Sequence, residues 1–73
     1  MAQIEAKTEV TGAVWKIVTE VGQTVEAGDT IMIIESMKME IPVVVEESGT
    51  IDRFLVEEKT SVSEGQVVAI LRS

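Results

Sequence analysis

Shifting the chain by 37 residues lays Gly12 through Ser36 on Gly49 through Ser73 without a gap. Gly12/Gly49, Glu20/Glu57, Val25/Val62, Gly28/Gly65, Ile33/Ile70 and Ser36/Ser73 are then identical, and Val14/Ile51, Lys16/Arg53, Ile17/Phe54, Val18/Leu55, Thr24/Ser61, Ile31/Val68 and Ile34/Leu71 keep their character. The chain is therefore two similar halves. A solenoid needs at least three stacked units to bury a continuous core, so two copies are expected to close on each other as one body. The 73 residues make a single domain, 1–73, near the lower size limit for folding without a disulfide or a metal.

Each half is built from short apolar runs separated by turn residues. Ala13–Val18, Thr30–Ile34, Ile41–Val45, Ile51–Val56 and Val67–Leu71 read as strands, with punctuation at Gly22, Ala27-Gly28-Asp29, Ser48-Gly49 and Glu64-Gly65. Short strands around Val25 and Val62 and another over Gln3–Thr8 bring the total to about eight, the pattern of an all-β sandwich or flattened barrel. No stretch sustains a helical period. Thr30–Ile34 and Val67–Leu71 are apolar at consecutive positions, as in strands covered on both faces. Pro42 has no N–H to donate, so its strand is expected at a sheet edge. Trp15, opposite Asp52 in the repeat, is expected to be a partly buried packing residue.

Composition removes most chemistry. With no cysteine and no histidine, disulfides, thiol nucleophiles and the ordinary zinc constellations are absent, and neither catalytic nor metal-ligating residues are expected. Thirteen acidic residues against six basic ones leave a net charge of −7, which opposes binding to phosphate backbones or anionic membranes. Apolar runs such as Thr30–Ile34 are far too short to span a bilayer, and the N-terminus lacks signal-peptide character. A soluble cytoplasmic protein is the expectation.

One segment resists the bland reading. Glu35-Ser36-Met37-Lys38-Met39-Glu40 lies just past the first copy and joins two apolar runs, so it is expected to be a hairpin with Lys38 at or near its tip. A two-residue turn normally uses Asn-Gly or a similar pair, because both central residues need positive φ; forcing Met37 and Lys38 into one would cost about 1–2 kcal/mol. As ordinary structure, Lys38 is one more solvated lysine and Met37 and Met39 point into the core. As function, the broken turn rule marks a site.

The segment resembles the signature of the biotinyl/lipoyl carrier domains, Glu-Ala-Met-Lys-Met, matched here as Glu35-Ser36-Met37-Lys38-Met39. The similarity extends through Gly28-Asp29 before the motif and Ser48-Gly49 after it. Lipoyl domains typically carry Asp-Lys-Ala at this place, so the flanking methionines favour biotin. Ser36 stands for the commoner alanine, and Glu9-Val10 for a frequent Pro-Met pair before Gly12. The protruding thumb segment and the Ala/Pro-rich linker of some carriers are not found in this sequence, which looks like a minimal carrier or a domain cut from a longer enzyme.

The resemblance implies two four-stranded antiparallel sheets with quasi-twofold symmetry and the modified lysine on an exposed hairpin. It implies covalent biotin on Lys38, attached by a biotin protein ligase, with Met37, Met39, Ser36, Glu35 and Glu40 as recognition residues. The swinging arm would shuttle CO2 between a biotin carboxylase and a carboxyltransferase, as in acetyl-CoA carboxylase and fatty acid biosynthesis, the carrier itself performing no catalysis. Two alternatives stand beside it: a lipoyl or dual carrier serving a 2-oxo-acid dehydrogenase-type system, and an unmodified β-sandwich interaction module.

Overall fold

The computed structural model describes residues 2–73. Eight strands follow one another: β1 Gln3–Lys7, β2 Gly12–Ile17, β3 Thr24–Val25, β4 Thr30–Ser36, β5 Met39–Val44, β6 Gly49–Phe54, β7 Ser61–Val62 and β8 Val67–Arg72. They form two four-stranded sheets, ordered β1-β8-β6-β3 and β5-β4-β2-β7, and every pairing is antiparallel. The expected architecture is the observed one.

The repeat reaches further than its identities show. β1 and β5 are also mates at the same offset, Ile4 on Ile41 and Ala6 on Val43, and the loop contacts repeat with them. The Gly28 N–H donates to the Val45 carbonyl at 2.8 Å and its mate, the Gly65 N–H, to the Thr8 carbonyl at 2.8 Å. The register slips in β2 at Trp15 and in β6 at Asp52, mates in the repeat; those in β4 at Ile31 and β8 at Val68 are mates too. Each extra residue sharpens the local twist, and the two sheets curl alike. The halves do not dock as separate bodies: each sheet takes two strands from each half, so neither half can complete a sheet alone.

Between the sheets the β-branched side chains that favoured strands form the core. Val14, Val25, Ile31, Met32, Ile34, Ile51, Val62, Val68, Ala69 and Leu71 are all essentially inaccessible, and burying each large one contributes about 1.5–3 kcal/mol. β8 is covered on both faces as expected. In β4, Ile33 keeps partial exposure. β5 is an edge strand with Pro42 exposed, where a missing donor costs nothing. Trp15 differs from expectation: it is 48% exposed, because the bulge makes it an extra residue on a strand whose neighbour Val14 already fills the inward position.

Two close approaches lock β2 and β6 to their partners. A Cβ built on Gly49 would meet the Arg72 carbonyl oxygen at 2.7 Å, and one on its mate Gly12 would come closer still to the Glu35 carbonyl oxygen. Only glycine fits there. Gly12 thereby seats β2 against the end of β4, immediately before the Lys38 hairpin.

Candidate functional site

β4 and β5 run into the hairpin in unbroken register. Ile34 pairs with Ile41, Glu35 with Glu40 and Ser36 with Met39, leaving Met37 and Lys38 as the whole turn. Their φ angles are 52° and 66°, so both occupy the left-handed region at about 1–2 kcal/mol each. Positive φ at both central positions is the turn whose twist matches the flanking strands. The chain retains the strain although neither residue is glycine or asparagine, and the regular ladder beneath holds it.

The methionines do not enter the core. Met37 is 93% exposed and Met39 63%, whereas Met32 is fully buried. Leaving such side chains in water forgoes about 1.5–3 kcal/mol of burial apiece, so core packing does not explain them. Lys38 is exposed between them and takes no part in the ion pairs of the described residues, which join Asp52 to Arg53 and to Arg72. A primary amine with no carboxylate holding it, flanked by two flexible apolar side chains, is open to an enzyme that must approach it from outside.

Ser36 has a structural part that the sequence did not announce. It is half-buried, and its Oγ donates to the Thr11 carbonyl at 2.8 Å; the Thr11 hydroxyl in turn accepts from the Glu64 N–H at 3.0 Å. The serine thus fastens the hairpin base to the β1–β2 connection. Thr11 and Gly12, which sequence reasoning missed as site residues, hold the base from the other side. Glu35 and Glu40 are exposed and directly opposite each other, a like-charge pair that mildly destabilises the isolated hairpin and gives its base a negative rim.

Lys38 is exposed to solvent. A groove lies between the edge strands β1 and β5, lined by residues such as Ile4, Ala6, Pro42 and Val43 and rimmed by Glu5, Glu9 and Glu46. Lys38 is not among its walls. Among the described residues no cluster of carboxylates is arranged to hold a metal ion. The arrangement suits covalent attachment at a protruding amine: the lysine is the one group at the tip able to form an amide, and nothing around it crowds a long substituent.

The model of a family described as "Biotin-requiring enzyme" matches residues 4–71. The "Biotin/lipoyl attachment protein" of Bacillus subtilis is 38% identical over 60 residues, covering 82% of this chain and 82% of that protein. The "Biotin-dependent acyl-coenzyme A carboxylase alpha3 subunit" of Mycobacterium leprae is 39% identical over 61 residues, 84% of this chain but only 10% of that subunit. Among solved structures, the urea carboxylase of Kluyveromyces lactis superposes with a TM-score of 0.91 at 38% identity, over 97% of this chain and 6% of that one. The chain thus corresponds to most of a small attachment protein and to a small piece of the large carboxylases. Matched over nearly its whole length and folded as two equivalent four-stranded sheets with an exposed lysine hairpin, this chain belongs to the biotinyl/lipoyl carrier-domain family.

Proposed function

We propose that this chain is a biotin carboxyl carrier in which Lys38 receives biotin from a biotin protein ligase. One observation carries the reading: the amine of Lys38 stands at the tip of a strained two-residue turn between two methionines that remain in water. The ligase presents biotin with its carboxyl joined to a leaving group; as the neutral Lys38 Nζ bonds to that carbonyl carbon, the C–O bond to the leaving group breaks, Nζ loses one proton, and the lysine stem becomes the inner part of a swinging arm. Once attached, biotin supplies a ureido nitrogen able to hold a carboxyl group in transit.

The protein's own contribution is presentation. The rigid sheets fix the turn, Ser36 and Thr11 brace its base, and Met37 and Met39 form an adaptable apolar collar that different active sites can accept. The reactions belong to partners: a biotin carboxylase that loads the arm and a carboxyltransferase that unloads it onto an acceptor. The likeness to an acyl-CoA carboxylase subunit supports an acyl-CoA acceptor, with acetyl-CoA the smallest of the class. Tethering to those partners, by a linker or a stable complex, makes each visit effectively intramolecular. Among the described residues no helix is long and apolar enough to cross a membrane. The cytoplasmic location is proposed on a separate ground, that loading by ATP-using partner enzymes needs a compartment that holds ATP.

The test is the intact mass of the protein after co-expression with a biotin protein ligase and, separately, with a lipoate ligase. One biotinyl group per chain and no lipoyl group is the expected result. A bare mass in both cells would leave an interaction module as the reading, and a lipoyl adduct would move the chain to the lipoyl branch of the family.

A further inference from the structure

The internal repeat supplies a control for every surface position, and the outer faces of the two sheets differ sharply. On the sheet that carries the hairpin, Val44 and Pro42 of β5, Ile33 of β4 and Trp15 of β2 cross the face, with Ile33 paired to Pro42 on one side and Lys16 on the other. Trp15 and Val44 are 48% and 44% exposed. Their mates on the other sheet are Lys7, Glu5, Ile70 and Asp52. There Asp52 binds Arg53 at 3.1 Å and Arg72 at 3.2 Å, and Ile70, paired with Arg53, is only 5% exposed. One sheet closes its outer isoleucine beneath charged neighbours. The other leaves the equivalent Ile33 partly exposed between Pro42 and Lys16, on the face that carries the half-exposed indole.

We propose that the outer face around Trp15, Ile33 and Pro42 is a docking surface for the separate enzyme that attaches the cofactor to Lys38; this rests on the carrier reading above. The face is continuous with the hairpin through Glu35 and Glu40, which follow Ile33 and precede Pro42 on the same side of their strands. A specific protein interface needs about 800 Å² from each partner. The three residues Met37–Met39 cannot supply that area alone, and the adjoining face extends the surface around them. It has the anatomy of such an interface, apolar residues with a tryptophan anchor around the single cation Lys16, and a charged rim. With Glu35 and Glu40 on the rim and a net charge of −7, the complementary partner carries an apolar patch edged with basic residues.

The choice of occupant follows from tethering. Enzymes joined to a carrier meet it at high effective concentration and need little affinity of their own. The attaching enzyme arrives as an independent molecule, so its recognition has to come from surface contact.

Substituting each residue by its mate, Trp15→Asp and Pro42→Glu, tests this with side chains that the equivalent backbone already accepts. In steady-state labelling with a biotin protein ligase, each variant is expected to raise the KM for the carrier by about tenfold or more with kcat little changed. Glu5→Gln, on the other sheet, leaves KM unchanged. Trp15 is the only tryptophan, so 5-fluorotryptophan incorporation gives a single 19F resonance, expected to shift or broaden when ligase is added to the carrier before biotin is attached. Should Trp15→Asp melt below the assay temperature, Pro42→Glu and the fluorine signal still report on the face. A KM within twofold of wild type in folded variants overturns the docking surface, as does a variant that is labelled normally but fails in carboxyl transfer, or one whose only effect is to abolish self-association. Failure of the wild-type chain to be labelled at all overturns the carrier reading instead.

Discussion

Lys38→Arg, produced together with a biotin protein ligase, is expected to keep the mass of the bare chain while unfolding within about 0.5 kcal/mol of wild type. The two effects separate because the site and the core do not share this side chain. Lys38 is exposed, outside the ion pairs, and beyond the last cross-strand pair of the hairpin. Arginine bears the same left-handed backbone cost as lysine, since both have a Cβ, so the strain in the turn is unchanged. What arginine lacks is a primary amine: the guanidinium nitrogens share a delocalised positive charge and are poor nucleophiles, so the ligase has no group to join in an amide. Denaturant melts followed by tryptophan fluorescence, with intact-mass measurement on the same preparations, check both halves. A variant that is labelled, or one that fails to fold, contradicts this separation of site from core.

Gly12→Ala carries the opposite signature, a large stability loss with damage at the site. The new methyl would press on the Glu35 carbonyl oxygen, a backbone atom that no side-chain rotation can move. Overpacking of this kind costs about 3 kcal/mol or more when the obstacle is rigid. A chain of this size has only about 5–10 kcal/mol in total, so the thermal midpoint should fall by more than about 12 °C. Because Glu35 leads directly into Ser36 and the turn, the Ser36–Thr11 hydrogen bond is lost with it, and labelling of the folded fraction slows, by up to about 100-fold if the amine moves by an ångström. Gly49→Ala places the same methyl at the mate position with a less severe clash, at 2.7 Å from the Arg72 carbonyl. It should cost less stability and leave the labelling rate of folded protein unchanged. Equal labelling of the two variants would show that the hairpin does not depend on how β2 seats against β4.

Much of the fold was legible in the order of residues, and the reasons are local. Strands over Thr30–Ile34 and Val67–Leu71 follow from runs of β-branched residues bounded by turn residues, the structure extending them to Ser36 and Arg72, and the offset of 37 residues announced two equivalent halves. The interleaving of those halves was not legible. A repeat states which segments resemble each other and is silent on which strands pair, a matter decided by register and by the bulges at Trp15 and Asp52. The misjudged tryptophan has a related cause: in the continuous apolar run Ala13–Val18 the sequence does not say which residue faces inward, and in the structure Val14 takes that position and leaves the indole outside. Mates in β1 and β5 escaped notice because Gln3/Glu40 and Glu5/Pro42 share little chemistry while their backbones occupy equivalent edges.

At the site, Lys38 and its methionines could be singled out because they violate two rules at once. They fill a turn that prefers glycine and asparagine, and they place large apolar side chains at an exposed tip. Ser36 obeyed no visible rule, since a serine next to a hairpin turn can equally face solvent, a partner or a neighbouring carbonyl. Only the position of Thr11, 25 residues earlier in the chain, decides that its hydroxyl is structural. Gly12 was visible as half of an identical pair, but the reason for the identity is a close approach in space.

The central claim is that the fold selects one amine, and site mapping of the attached group tests it most directly. The chain has lysines at positions 7, 16, 38 and 59. Lys59 is a demanding internal control, because it too is exposed and left-handed, with φ of 73°, but it has no methionine on either side and no hairpin ladder beneath it. After labelling by a biotin protein ligase and proteolysis under conditions that preserve the adduct, tandem mass spectrometry should find biotin on Lys38 alone. Biotin on Lys59, or distributed among the lysines, would mean that exposure and backbone conformation suffice without the Met-Lys-Met tip, and selection of a single amine by the hairpin would be refuted.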